Sequence, residues 1–253
     1  WGKYEVIINH ATCGGKRDCI STIEKVVSGV LDRRMIKKSS DCMRNDKNGS
    51  CVVKLIEEET YRVTTGVAKV SKYNGVVSGD NYTFMNNGDG SFIVALSDGM
   101  GSGQKAAMQS RITIDLLEQF MESGFDRDTT IKMINSILLL KSGDESFSTI
   151  DLSVIDLYDG DVEFVKVGAV PTFIKRSDRV EVVRTASLPA GIFSHIELEL
   201  IHKKVGSGDF IIMMTDGAYD LFKGDEGNDK FLQKYIDGIK SLNPQHIADK
   251  ILE

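Results

Sequence analysis

The chain has 253 residues, 41% hydrophobic and 27% charged, with a formal net charge of -6 at pH 7. That is a globular composition, long enough for one large domain or for one domain plus a small one. The acidic balance and the lack of a basic run argue against nucleic acid as a partner. No apolar run reaches the roughly 18 residues that span a bilayer, so no membrane contact is expected of these residues, and the opening does not read as a signal peptide. Trp1 in place of an initiating Met gives the expectation of a piece of a longer protein.

Tyr4–Asn9 reads as a strand. Ser21-x-x-Glu24 has the form of a capping box, and Ile23, Val26, Val27 and Val30 follow at helical spacing. Asp46–Gly49 reads as a turn and Cys51–Ile56 as a second strand. The result is a small β-α-β unit without a catalytic constellation. Its cysteines, Cys13, Cys19, Cys42 and Cys51, have neither Cys-x-x-Cys nor zinc-site spacing, so reduced thiols are expected.

From Tyr61 the texture changes. Tyr61–Lys72 reads as a long strand interrupted by glycine, followed by Val76–Asp80, Tyr82–Met85 and the turn Asn86–Gly90. Phe92–Leu96 is a buried-strand run that leads directly into Asp98-Gly-Met-Gly-Ser-Gly103. Helices are expected over 104–122 and 127–140, the first with a stripe of Met108, Ile112, Leu116, Leu117, Phe120 and Met121. Strands are expected over 147–157, 162–167, 172–175, 180–184, 196–205 and 209–214, with Asp159-Gly160 as a hairpin turn. Thr215-Asp216-Gly217 and two amphipathic helices, near 228–241 and 244–252, close the chain. Consecutive strands with grouped helices indicate antiparallel sheet with segregated helices.

Three acids mark strand ends or glycine-rich turns: Asp80 in Ser-Gly-Asp, Asp98 in Ser-Asp-Gly and Asp216 in Thr-Asp-Gly. Asp-Gly alone is a common turn dipeptide, but three acids at matching positions in one domain point to a site. Carboxylates, with the Gly99 carbonyl as a further donor, suit Mg2+ or Mn2+, not zinc or copper. Two such ions roughly 3.5–4 Å apart could clamp a phosphoryl group.

Gly101-x-Gly103-x-x-Ala106 fits a dinucleotide fingerprint. It lacks the second parallel strand and its acid, because another helix follows. Lys105 lacks the Gly-Lys-Ser/Thr context of a P-loop. His10, His195, His202 and His246 are scattered and read as surface or packing residues. Ser97 and Ser102 have no triad context.

These motifs resemble the metal-dependent PPM (PP2C-type) serine/threonine phosphatases, and within them a sporulation branch. The resemblance is carried by Tyr61–Ala68, Val77–Tyr82, Ser97–Gly101, Ile134–Ile137, Ser148–Leu152, Phe164–Gly168 and Asp209–Gly217. It implies an α+β fold, a four-layer α-β-β-α sandwich of two antiparallel sheets over 60–253, preceded by a small α/β regulatory or linker segment over 1–59. It also implies two Mn2+ (or Mg2+) ions: Asp98 bridging both, the Gly99 carbonyl on one, Asp216 on the other and Asp80 holding water at the ions. The implied reaction is hydrolysis of phosphoserine by water activated between the metals. The implied substrate is a phosphorylated anti-anti-sigma protein, whose dephosphorylation leads to sigma-factor activation. The implied location is the cytoplasmic part of a membrane-anchored parent.

The family normally ends with a strand carrying a further metal ligand, and no residue after Asp216 fits that context. The expectation is therefore weak or absent activity for residues 1–253 alone, with an open sheet edge that invites a homodimer. The alternative function is a regulatory or dimerising module of the same fold with catalysis disabled. Helices 104–122 and 127–140, joined to the Asp98 turn, are expected by the resemblance to act as a switch on the site.

Overall fold

The computed structural model describes residues 4–11, 18–42, 49–70, 78–101, 103–140, 147–194, 196–222 and 227–253. Cys13, Ser102, His195 and most of the expected turn at 46–49 lie outside them. The chain divides into two compact units, Trp1–Thr60 and Tyr61–Glu253.

The first unit contains β1 (Glu5–Ala11), α1 (Cys19–Leu31), β2 (Met35–Cys42) and β3 (Ser50–Glu57), with an antiparallel sheet in the order β1-β3-β2. Met35, Cys51, Val53 and Leu55 form its core, with Val6, Ile8, Ile23, Val27 and Leu31 packed against them. Strand β2 is absent from the sequence reading because it is mostly exposed and so carries no apolar alternation. The capping box does not form. Helix α1 starts earlier, and the Ser21 and Thr22 hydroxyls donate to the Asp18 carbonyl at 3.0 and 2.9 Å. Glu24 instead accepts from the Lys37 N–H at 2.7 Å, tying the helix to β2. Cys42 and Cys51 face each other in the β2–β3 register with Cα atoms 4.2 Å apart and are joined as a disulfide, contrary to the expected reduced thiols. Register, not sequence spacing, brings them together.

The second unit runs β4 (Asp80–Asn86), β5 (Ser91–Asp98), α2 (Gln104–Glu122), α3 (Arg127–Leu140), β6 (Ile150–Asp156), β7 (Asp161–Val167), β8 (Thr172–Lys175), β9 (Val180–Val183), β10 (Leu200–Lys204), β11 (Phe210–Ile212), α4 (Asp216–Tyr219), α5 (Asn228–Gly238) and α6 (Pro244–Leu252). Two antiparallel sheets form, in the orders β10-β7-β6-β5-β4 and β11-β8-β9. Among the described residues no parallel strand follows α2, as a dinucleotide fold would need.

Three clusters make the layers. Ile93, Ala95, Ile150, Leu152, Val154, Val165 and Val167 on the five-stranded sheet pack against Ile114, Leu117, Ile131, Ile134 and Leu138 of α2 and α3. The opposite face meets the second sheet through Ile155, Val162, Phe164, Ile174 and Val183. Phe173 on the outer face of that sheet packs with Leu232, Ile236, Ile247 and Ile251 of α5 and α6. Helices, sheet, sheet and helices therefore stack in four layers, the expected α+β sandwich. Each fully buried Leu or Ile contributes about 1.5–3 kcal/mol relative to exposure.

Two details differ from the sequence reading. The buried face of α2 is Ala106, Gln109, Ser110, Thr113, Ile114, Leu117 and Met121, while Met108 is exposed. The helix lies close on the sheet through small and hydroxylated residues that an apolar stripe does not register. Residues 61–70 form no strand. Tyr61 and Val63 pack against the core between the sheets, and the Val67 backbone is held by the Gln245 side chain, which accepts at 3.0 Å and donates at 2.7 Å. One side-chain amide replaces a partner strand.

Candidate metal centre

Strands β4 and β5 form a hairpin whose open end is the pair Asp80–Asp98, directly opposite in the ladder. The turn at Asn86–Gly90 lies at the far end, so the register delivers both acids to one edge. The Asp98 main chain is locked to the approach to β6: its N–H donates to Thr149 Oγ1 at 2.9 Å and its carbonyl accepts from the Thr149 N–H at 2.9 Å. Beneath it, the buried Ser97 hydroxyl lies 2.6 Å from Ser148 Oγ and donates to the Thr149 carbonyl at 2.7 Å. Ser97 is thus a structural serine, as its sequence context suggests.

Glycines let α2 approach this corner. A Cβ on Gly99 would stand 2.0 Å from the Ala106 carbonyl oxygen, and one on Gly79 would stand 3.1 Å from Asp98 Oδ1. The Ser110 hydroxyl of α2 donates to the Gly79 carbonyl, and Asn81 Nδ2 donates to the Ala107 carbonyl at 3.2 Å and to Ser110 Oγ at 2.7 Å. The first turns of α2 are therefore fastened to the strand that carries Asp80.

Asp216 arrives from the other sheet, at the start of α4. The preceding Thr215 donates to Asp80 Oδ2 at 3.3 Å, and Ser78 donates to the same oxygen at 3.1 Å. Asp80, Asp98 and Asp216 thus converge, as the sequence reading expected. Burial, then the charge of Asp80, then the Asp216 carboxyl push the Asp98 carboxyl up to about 8. Lys69 Nζ donates to the Asp80 main-chain oxygen at 2.7 Å, not to a carboxylate. Acids crowded in this way are a setting that a hard cation relieves. Among the described residues no group of three or more His, Cys, Asp or Glu side chains is placed to hold one ion by itself. The donor set fits a Mg2+- or Mn2+-like ion that keeps much of its water, which is held by one or two carboxylates.

Asp98, Asp216, Thr149, Thr215 and Gly168 line a cleft whose interior of about 20 Å³ is on the scale of a single water. Asp151 also lines it, and sequence reasoning missed this residue. It stands opposite Lys166 in the β6–β7 register, on the face turned to the second sheet. Lys166 Nζ bonds Asp151 Oδ2 at 2.6 Å, and the Thr172 hydroxyl lies 2.8 Å from Nζ and 3.0 Å from Oδ2. Burial pushes the Asp151 carboxyl up and the Lys166 amine down, and each partner partly offsets the shift of the other. A charged residue within an otherwise apolar strand pattern, matched by one on the next strand, was the available sequence signal.

The sandwich is that of a PP2C-type phosphatase domain. The solved PP2C phosphatase domain, with a fragment of the regulatory domain, of SpoIIE from Bacillus subtilis matches with a TM-score of 0.82 at 38% identity, over 99% of this chain and 72% of that one. The phosphatase domain of the same protein, in a crystal form without domain swapping, matches with a TM-score of 0.60 at 42% identity, over 78% and 85%. A family model described as stage II sporulation protein E (SpoIIE) matches residues 88–253, and this chain belongs to that family. It is 41% identical over 231 residues to stage II sporulation protein E of Bacillus subtilis (strain 168), covering 91% of this chain and 28% of the relative. With its counterpart from Priestia megaterium the identity is 37% over 241 residues, covering 95% and 41%. The chain thus spans well under half the length of these curated relatives. Among the described residues no helix is long and apolar enough to cross a membrane.

Proposed function

We propose that residues 60–253 act as a metal-dependent phosphoserine phosphatase domain, with residues 1–59 as a regulatory segment. The observation that carries this reading is the meeting of Asp80, Asp98 and Asp216 at one end of a PP2C-type sandwich, where burial and the two neighbouring carboxyls push the Asp98 carboxyl up to about 8. In this reading Asp98, Asp216 and the Gly99 carbonyl would hold two Mn2+ or Mg2+ ions, with Asp98 shared by both, and Asp80 would hold water at them. Bound there, the ions supply Lewis acidity toward phosphoryl oxygens and lower the pKa of the attacking water. The chain's own part is positional. The β4–β5 ladder fixes Asp80 against Asp98, Ser78 and Thr215 aim the Asp80 carboxylate, and Thr149 fixes the Asp98 main chain.

Family membership supports a finer proposal: the substrate is a phosphorylated anti-anti-sigma protein, and its dephosphorylation activates a sigma factor in sporulation. The parent is then membrane-anchored, with this part on the cytoplasmic side. Fastening of α2 to Gly79 and Asn81 supports a switch in which α2 and α3 move the Asp98 turn. The lack of a complete three-side-chain cage among the described residues favours a second reading, a dimerising or regulatory module without turnover. Phosphate release from a phosphoserine protein, with and without Mn2+, separates the two when Asp98→Ala is run beside it. Metal-dependent turnover lost in the variant supports the phosphatase. A folded protein without turnover at millimolar Mn2+ supports the module.

A further inference from the structure

Asp151 is 1% exposed and Lys166 1% exposed, so a full ion pair is enclosed between the two sheets. Taking both charges out of water costs several kcal/mol each, and a well-packed apolar pair is often as stable or more so. Stability alone is a weak reason for the pair. The bonding is also lopsided. Lys166 and Thr172 both bind Oδ2, while the buried Oδ1 has no hydrogen-bond partner among the described residues. An unsatisfied acceptor on a buried carboxylate costs more than the 1–3 kcal/mol of a neutral group. The same side chain lines the cleft shared by Asp98, Thr215 and Asp216. Its strand neighbour across β5 is Leu96, two residues before Asp98. Position along the ladder, the orphaned oxygen and the cleft therefore coincide.

We propose that Asp151 is a positioning residue of the metal centre: held through Oδ2 by Lys166 and Thr172, it presents Oδ1 to the cleft to accept a hydrogen bond from water on the ion that Asp98 and Asp216 hold. This rests on the metal reading given above. Its chemistry is that of an outer carboxylate, which orients ion-held water without contacting the metal. Lys166 sets the direction of the carboxylate. Its fixed charge also limits how far Asp151 adds to the negative field of the three acids. Thr172 belongs to β8 of the second sheet, so the outer carboxylate is braced by both sheets at once.

The test is Mn2+ affinity by titration calorimetry, with melting temperature measured on the same samples. The parent chain is compared with Asp98→Ala, the paired variant Asp151→Leu with Lys166→Met, which removes the acceptor as well as both charges, and Thr172→Val. Replacing both members of the pair avoids stranding a buried lysine. The expected result is a paired variant that melts near the parent yet binds Mn2+ about 10–100-fold more weakly, the usual effect of losing an outer partner. Thr172→Val, which keeps both charges, is expected to weaken binding by less, and it decides the matter if the paired variant does not fold. Parent-like affinity in a folded paired variant, or in Thr172→Val should that variant have to decide, overturns the proposal while leaving the metal reading intact. No Mn2+ binding by the parent overturns the metal reading, and this proposal with it.

Discussion

Gly99→Ala is a sharp test of how the site is built. The added methyl would stand 2.0 Å from the Ala106 carbonyl oxygen and 2.7 Å from its carbon. Both atoms are main chain in α2, so no rotamer change relieves the contact. The helix must retreat by more than an ångström or the Asp98 turn must twist. Overpacking of this kind costs about 1–3 kcal/mol, and retreat also strains the Ser110–Gly79 and Asn81–Ala107 bonds, each worth about 1 kcal/mol. A loss near 3 kcal/mol corresponds to a fall in melting temperature of about 6–12 °C, at roughly 2–4 °C per kcal/mol for a domain of this size. Gly217→Ala is the control, because open space surrounds that position in α4; it should melt within about 2 °C of the parent. Differential scanning calorimetry and Mn2+ titration on the three proteins read both consequences. Gly99→Ala with parent stability and parent Mn2+ affinity would refute the claim that contact with the α2 backbone sets the position of the Asp98 turn.

Without metal, Asp98 holds its proton up to about pH 8, against an ordinary 3.8. The folded state then binds more protons than the unfolded one between those values, so the contribution is complete below about pH 4 and is lost as pH rises through 8. Metal-free melting temperature should carry this downward slope, and Asp98→Asn should flatten it. Glu181 has the opposite sign: the Arg176 guanidinium holds its carboxyl down to about 2, so its contribution is present above about 4.5 and is lost on acidification. Arg176→Ala should therefore raise the pH of acid unfolding, measured by circular dichroism. Asn243 caps α6, accepting from the Gln245 and His246 N–H groups. Asn243→Ala should cost about 1 kcal/mol in chemical denaturation, whereas Asn243→Asp should cost little.

The parts of the fold legible in the sequence were those with a strong period and clean punctuation. Helices at 104–122 and 127–140 stand as read, because each is long and bounded by glycine or a polar break. Strand β5 was legible because its buried run ends in an acid and glycines. The segment 61–70 misled because it alternates like a strand, while its partner is the side chain of Gln245, 178 residues from Val67. Strand β2 was hidden by exposure, and the Cys42–Cys51 bond by its dependence on register. At the site, the Asp-Gly pairs were visible as local words. Asp151 and Lys166 were fainter, because each alone is a single charge in a strand and their opposition emerges only when β6 and β7 are set side by side.

The hairpin supplies Asp80 and Asp98 from neighbouring sequence, whereas Thr215 and Asp216 come from far along the chain; Thr215 and Asp80, which share a hydrogen bond, are 135 residues apart. Two of the three acids can therefore meet as soon as β4 and β5 pair, and the third meets them only after a long loop closes. An ion shared by Asp98 and Asp216, as proposed above, would act as a clasp between the two sheets. Its rate of escape would then be tied to opening of the C-terminal part of the domain, and the residence time of Mn2+ would report how often that part lifts away.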